Sequence, residues 1–104
     1  MAAALIYITV PDKAEAERIG DLLLEKKLVA CVNIIDNMSS AYWWEGKKEK
    51  AQEAVLLAKT KSKLVDELSA FVVSVHPYDC PCVIAIPLIG GNPDFLKWIE
   101  DETK

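Results

Sequence analysis

The sequence predicts an α+β domain: a four-stranded antiparallel sheet, crossover helices on one face, and a further helix at the C-terminus. Three observations lead there. Hydrophobic periodicity switches in the order strand, helix, strand, strand, helix, strand, helix. The two middle strands are long and joined by a short turn containing Gly46, so they form a hairpin. Pro11, Pro77, Pro87 and Gly90-Gly91 punctuate the remaining boundaries. Two helix crossovers joined by a hairpin make the split βαβ pattern, a ferredoxin-like βαββαβ sheet. The 104 residues fit one domain, 1–104, without linker, repeat or low-complexity tract.

The first strand spans Leu5 to Val10, at the end of the run that opens Met1-Ala-Ala-Ala. Ile6, Ile8 and Val10 share one face and Leu5, Tyr7 and Thr9 the other, so a central strand covered on both sides is expected. Pro11 stops it. Asp12 caps a helix, and Glu15 three places on has the spacing of a capping box. Ala16, Ile19, Leu22 and Leu23 form the buried stripe, with Lys26 and Lys27 expected in the last turn, where the helix dipole favours cations. Gly20 costs that helix about 1 kcal/mol against alanine, and its expected use is close approach to the sheet.

Val29 to Asp36 reads as the second strand, with a kink near Asn37. Beyond the kink Ser40, Tyr42 and Trp44 point one way, and Ala41 and Trp43 the other. Glu45-Gly46-Lys47-Lys48 is the turn. The return strand runs from about Lys50 to Thr60, with Glu53, Val55, Leu57 and Lys59 on one face. Each arm is roughly 40–50 Å long at ~3.3 Å per residue, whereas a compact domain of this size is about 35 Å across. The tip therefore overhangs, exposing rings beside a strand edge. Either another copy of the chain covers it, or the arm bends at Asn37 and folds back on its own core. We expect self-association.

Ser62 starts the next helix, which buries Leu64, Leu68, Phe71, Val72 and Val75 and stops at His76, because the residue before Pro77 is pushed out of helical geometry. The loop Pro77–Pro81 follows. Cys82 to Leu88 is the last strand, ended by Pro87. Asn92 caps the final helix, Pro93 takes its first position, and Phe95, Trp98 and Ile99 give it an apolar side.

Composition excludes several function classes. The chain is 52% hydrophobic with a net charge of −4, which argues against a nucleic-acid or anionic-membrane partner. No run approaches the ~20 apolar residues of a membrane span. The opening lacks a basic start and reads as strand rather than signal peptide. Three cysteines fit free thiols in a reducing compartment, so a cytoplasmic protein is expected, and Asn37-Met38-Ser39 is a chance match to a glycosylation acceptor.

The stretch Ser74 to Val83 concentrates the chemistry. It holds the single histidine, His76, and two of the three cysteines, Cys80 and Cys82, between stiffening prolines. Imidazole and thiolates are borderline and soft metal ligands, so these three are the candidate metal residues, suited to Cu(I) or Zn(II). Cys-x-Cys is not the usual structural zinc spacing and no second pair completes four ligands; further donors would have to come from another subunit. On the alternative reading, His76 only closes its helix and the thiols only pack. A second set, Tyr42, Trp44, Glu53, Lys59, Tyr78 and Trp98, combines charges with rings. It suits a small anionic or aromatic ligand, or a polar belt in a subunit interface. No nucleophile with an adjacent base, phosphate loop or carboxylate dyad is present, so an enzyme, with His76 as general acid–base, is the weakest reading.

Four stretches together resemble the CutA divalent-cation tolerance family: Ala30-Cys-Val-Asn-Ile34; Ser40-Ala-Tyr-Trp-Trp-Glu-Gly46; Glu53 through Thr60; and His76-Pro-Tyr78, with the later Pro87…Gly91 and Phe95-Leu-Lys-Trp98. They cover nearly the whole chain. The resemblance implies a ferredoxin-like homotrimer whose long hairpins pair between subunits, an intracellular protein linked to copper and other divalent metals, and no established catalytic activity. His76 matches the family's His-Pro-Tyr histidine. Val75 stands where some bacterial members have a second histidine, Ile8 where they have a cysteine, and Cys82 where many have a glutamate. A site copied from those members is thus incomplete here, and Cys80 and Cys82 are the candidate replacements. The expected function is a non-enzymatic trimeric protein of metal tolerance, binding copper, another divalent metal or a small ligand near subunit junctions, with no organic cofactor. The alternative is a trimeric scaffold or signalling module that anchors another protein.

Overall fold

In the computed structural model, which describes residues 2–104, strands β1 (Ala3–Val10), β2 (Cys31–Trp44), β3 (Lys47–Lys61) and β4 (Val83–Leu88) form one antiparallel sheet in the order β2-β3-β1-β4. Helices α1 (Lys13–Glu25) and α2 (Val65–Val75) are the crossovers, and α3 (Pro93–Asp101) is the added helix. The expected order and topology hold. Met1, at the head of the opening run, lies outside the described residues.

The main core fills the space between sheet and crossover helices. Ile6, Ile8 and Val10 of β1 and Ala54, Leu56 and Ala58 of β3 pack there against Ala16, Ile19 and Leu23 of α1 and Leu68 and Val72 of α2. All are buried, as alternation at period two and the helical stripe require. The other face of β1 departs from expectation. Leu5, Tyr7 and Thr9 are only half-buried, because both crossover helices lie across the sheet. Helix α3 packs chiefly against β3 and β1 and buries Ile99, which is outside the main core cluster.

Helix α1 starts as read: the Asp12 carboxylate accepts the Glu15 N–H at 2.9 Å. The reciprocal half of a capping box is missing. The Glu15 carboxylate turns instead to Arg18, which donates to it at 2.6 and 3.0 Å. That bond holds the Glu15 carboxyl below its usual range. Arg18 also donates to the Val75 carbonyl at 2.6 Å, satisfying a free acceptor at the end of α2. The helix ends one residue before the lysines expected in its last turn; Lys26 caps it and Lys27 takes φ 57°. Gly20 does let α1 lie close: a Cβ there would sit 3.2 Å from Val32 Cγ2 and 3.5 Å from Leu56 Cδ1.

The hairpin is longer than the body. Pairing of β3 with β1 covers Ala54 to Lys61, so the seven residues Lys47–Glu53 pair with β2 alone. At ~3.3 Å per residue that is an overhang of about 23 Å. The molecule accordingly measures 44 × 25 × 23 Å. The tip is a two-residue turn with Glu45 at φ 49° and Gly46 at φ 79°, the left-handed pair whose twist suits two-residue hairpins. The kink at Asn37 is a bulge: the register steps from Ile35↔Val55 to Met38↔Glu53, and Asn37 takes φ 59°.

Helix α2 follows a short 3₁₀ turn, Ser62–Leu64, and stops at His76, whose φ −80° and ψ 141° are the extended geometry Pro77 demands. Pro87 does not end β4. It sits inside the strand opposite Ala4, tolerated because β4 is an edge with β1 as its one neighbour. Asn92 accepts the Asp94 N–H at 3.0 Å and Pro93 opens α3, as read.

Candidate functional site

The bulge decides which side chains meet. Before it, even-numbered residues of β2 pair with even-numbered residues of β3, as in Ile34↔Leu56, and face the helices. The extra residue reverses this parity, so Met38 pairs with Glu53 and Tyr42 with Glu49. Tyr42 and Trp44 therefore join the face of the sheet opposite the crossover helices, and Trp43 points the other way with 74% of its surface exposed.

On that opposite face, between the hairpin and the loop after α2, lies a cleft of about 730 Å³. Its floor is Tyr7 and Thr9 of β1 and Glu53 of β3. The arm supplies Met38, Tyr42 and Trp44, and the loop supplies Pro77, Tyr78, Asp79, Cys80 and Cys82. Glu53 is the most enclosed of these, 8% exposed, and its Oε2 accepts the Tyr78 hydroxyl at 2.7 Å. Burial and the neighbouring Glu53 carboxylate both push the Tyr78 phenol well above the usual tyrosine range, since a phenolate there would face a second negative charge.

His76 organises the loop from behind. It is 8% exposed, and both ring nitrogens are engaged. Nε2 lies 2.8 Å from the Thr9 carbonyl, which can only accept, so Nε2 carries the proton. Nδ1 is then free to accept the Tyr78 N–H at 3.1 Å. The imidazole thus ties β1 to the loop and hands Tyr78 to Glu53, with its ring 4.8 Å from the Tyr78 ring.

Of the residues singled out in the sequence, Tyr42, Trp44, Glu53, Tyr78, Cys80 and Cys82 are brought to the cleft. Three are not available as expected. His76 is occupied at both nitrogens and is not a free metal ligand. Lys59 shares a strand face with Glu53 but lies ~20 Å along β3 from it; its ammonium donates to Asn33 Oδ1 at 2.6 Å and lies 3.6 Å from Cys31 Sγ. Trp98 is on α3, its ring tilted against that of Phe95 with centroids 5.4 Å apart, outside the cleft. Sequence reasoning missed Tyr7, Thr9, Met38 and Asp79 as lining. The alternation of β1 contained the signal for Tyr7 and Thr9, whereas Met38 depends on the register shift.

Among the described residues no group of three or more His, Cys, Asp and Glu side chains converges as a ligand cluster. The Cys31, Cys80 and Cys82 thiols are free, with Cys80 exposed and Cys82 half-buried. One chain therefore offers soft donors at the cleft without closing a divalent-metal site.

A family model described as CutA1 divalent ion tolerance protein matches residues 4–102. The divalent-cation tolerance protein CutA of Archaeoglobus fulgidus is 49% identical over 92% of this chain and 93% of its own length. The chloroplastic protein CutA 1 of rice is 42% identical over 96% of this chain, which spans only 56% of that longer relative. A solved structure of the periplasmic divalent cation tolerance protein CutA from Archaeoglobus fulgidus superposes with a TM-score of 0.94 at 46% identity, over 98% of this chain and 99% of that one.

Proposed function

The chain belongs to the CutA1 divalent ion tolerance family, and from that premise we propose that it is a non-enzymatic, homotrimeric, cytoplasmic protein of divalent-metal tolerance. In this reading it takes copper, another divalent metal or a small ligand where subunits meet. The observation that carries the reading is the cleft itself: one wall is the uncovered arm, with Tyr42 and Trp44 45% and 43% exposed, and the mouth holds two free thiols. Burying those rings favours assembly through the arm. Assembly then supplies donors from a neighbouring copy to complete what Cys80 and Cys82 begin, and His76 positions the loop without ligating.

The test is native mass and elemental analysis of untagged protein prepared without chelators, followed by competitive Cu(I) and Zn(II) titrations of the wild type and a Cys80→Ser/Cys82→Ser double variant. A three-chain mass, bound metal and weaker binding by the variant are expected. A monomer at dilute concentration would remove the architecture, and equal affinities would remove the thiols.

A further inference from the structure

His76 is the chain's single histidine, and its two partners fit one protonation state of the ring. Nε2 faces the Thr9 carbonyl at 2.8 Å, which needs a proton on that nitrogen. Nδ1 faces the Tyr78 N–H at 3.1 Å, which needs a lone pair. Only the neutral imidazole offers one of each. The imidazolium is a donor at both nitrogens, and turning the ring over does not restore the acceptor. A second proton would set two N–H groups against each other at a buried position.

What depends on that acceptor is the loop Pro77–Pro81. It forms no helix or strand, and among the described residues its hydrogen bonds to the rest of the chain both start on Tyr78. One runs through the His76 ring to β1, the other through the phenol to Glu53 of β3. Losing the first leaves the second as the remaining anchor. The surrounding charges do not oppose a second proton. From α1 come Glu15, close enough to interact with a charge on the ring, and Arg18, which is paired with Glu15 and bonded to the Val75 carbonyl at the end of α2. On the Tyr78 side are Asp12 at the head of α1, Glu53 of β3 and Tyr42 of the arm, with Asp79 next in the loop. Carboxylates outnumber the one guanidinium, so what a second proton meets is the clash with the Tyr78 N–H. We propose that His76 is a proton-operated latch, closed by the neutral ring and opened in mild acid, which frees Tyr78 and with it the loop that carries Cys80. Every bond of the latch lies within one chain, so it does not depend on what covers the cleft in the assembly. It uses neither thiol and does not rest on the metal reading.

The test uses the native assembly with a chelator present, so that no metal contributes. His76 gives the only imidazole signals, and long-range proton–nitrogen spectra report its tautomer and its titration. The Nε2–H tautomer is expected at neutral pH. Protection of the Tyr78 amide from exchange, corrected for the intrinsic pH dependence, should fall about tenfold, the worth of one hydrogen bond, as pH is lowered from about 7.5 to 5. Its midpoint should coincide with that of the ring. His76→Gln keeps an amide donor and a carbonyl acceptor but does not titrate, so its Tyr78 amide should stay equally protected throughout. Where that variant does not fold, the wild-type titration decides alone. An Nδ1–H tautomer at neutral pH, a ring still neutral at about pH 5, a ring that titrates with no change at Tyr78, or the same loss of protection in His76→Gln overturns the inference. Metal affinity of the Cys80→Ser/Cys82→Ser variant is a separate readout, so either reading can fail without the other.

Discussion

Replacing Tyr78 by Phe isolates the bond on which the cleft's inner wall depends. The ring, its packing on His76 and the backbone bond to Nδ1 are all retained, and only the hydroxyl is lost. That hydroxyl donates at 2.7 Å to a carboxylate that is 8% exposed. Hydrogen bonds to charged groups contribute about 1.5–3 kcal/mol, and the half-open position of Tyr78 argues for the lower part of that range, about 1.5–2 kcal/mol. Urea unfolding at fixed protein concentration reads the loss, and a cycle with Glu53→Gln assigns it to the pair. The pH dependence gives an independent sign. The folded phenol titrates above its unfolded value. The contribution is therefore fully present below the ordinary tyrosine value of about 10 and is lost as pH rises through the raised one. The gap between wild type and variant should be flat from neutrality to about pH 10 and close above it. Equal midpoints at neutral pH, or a gap that does not change in alkali, would refute the reasoning.

Two further substitutions test the frame. Gly20→Val should destabilise by about 1–3 kcal/mol, because even a Cβ meets Val32 at 3.2 Å, while Gly20→Ala should be much milder as helix propensity offsets crowding; thermal unfolding distinguishes them, and an unaffected valine variant would mean that α1 does not need its close approach. Glu45→Asn should stabilise by about 0.5–1 kcal/mol, since Glu45 holds φ 49° in a turn that asparagine tolerates better; an unchanged or lower denaturation midpoint would contradict it.

What the sequence revealed follows from how local each cause is. Strand alternation, the Asp12 and Asn92 caps, the stop at His76-Pro77 and the purpose of Gly20 are decided within a few residues, and all were legible. Pro87 misled because its cost depends on whether a strand is central or at an edge, which only the completed sheet settles. The site was half legible for the same reason. Tyr42, Trp44, Glu53, Tyr78, Cys80 and Cys82 converge, but Lys59 and Trp98 were joined to them by residue type rather than distance. His76 looked like a ligand because a lone imidazole beside two thiols has that chemistry. Its role as a tie was hidden in Thr9, more than sixty residues upstream, whose carbonyl meets the ring only after β1 and α2 have docked.

The single surplus residue between Ile35 and Met38 has a consequence for how such a cleft can vary. Which flank of the arm looks inward is governed by chain length there, not by the identity of any side chain. A one-residue insertion or deletion at this bend would exchange the arm's whole share of the lining in one step, Trp43 for its two neighbours, whereas ordinary substitutions can alter it only one position at a time. Ligand preference in this architecture is therefore coupled to spacing, and length at the bend, rather than similarity along the arm, is the quantity by which two such proteins should be compared.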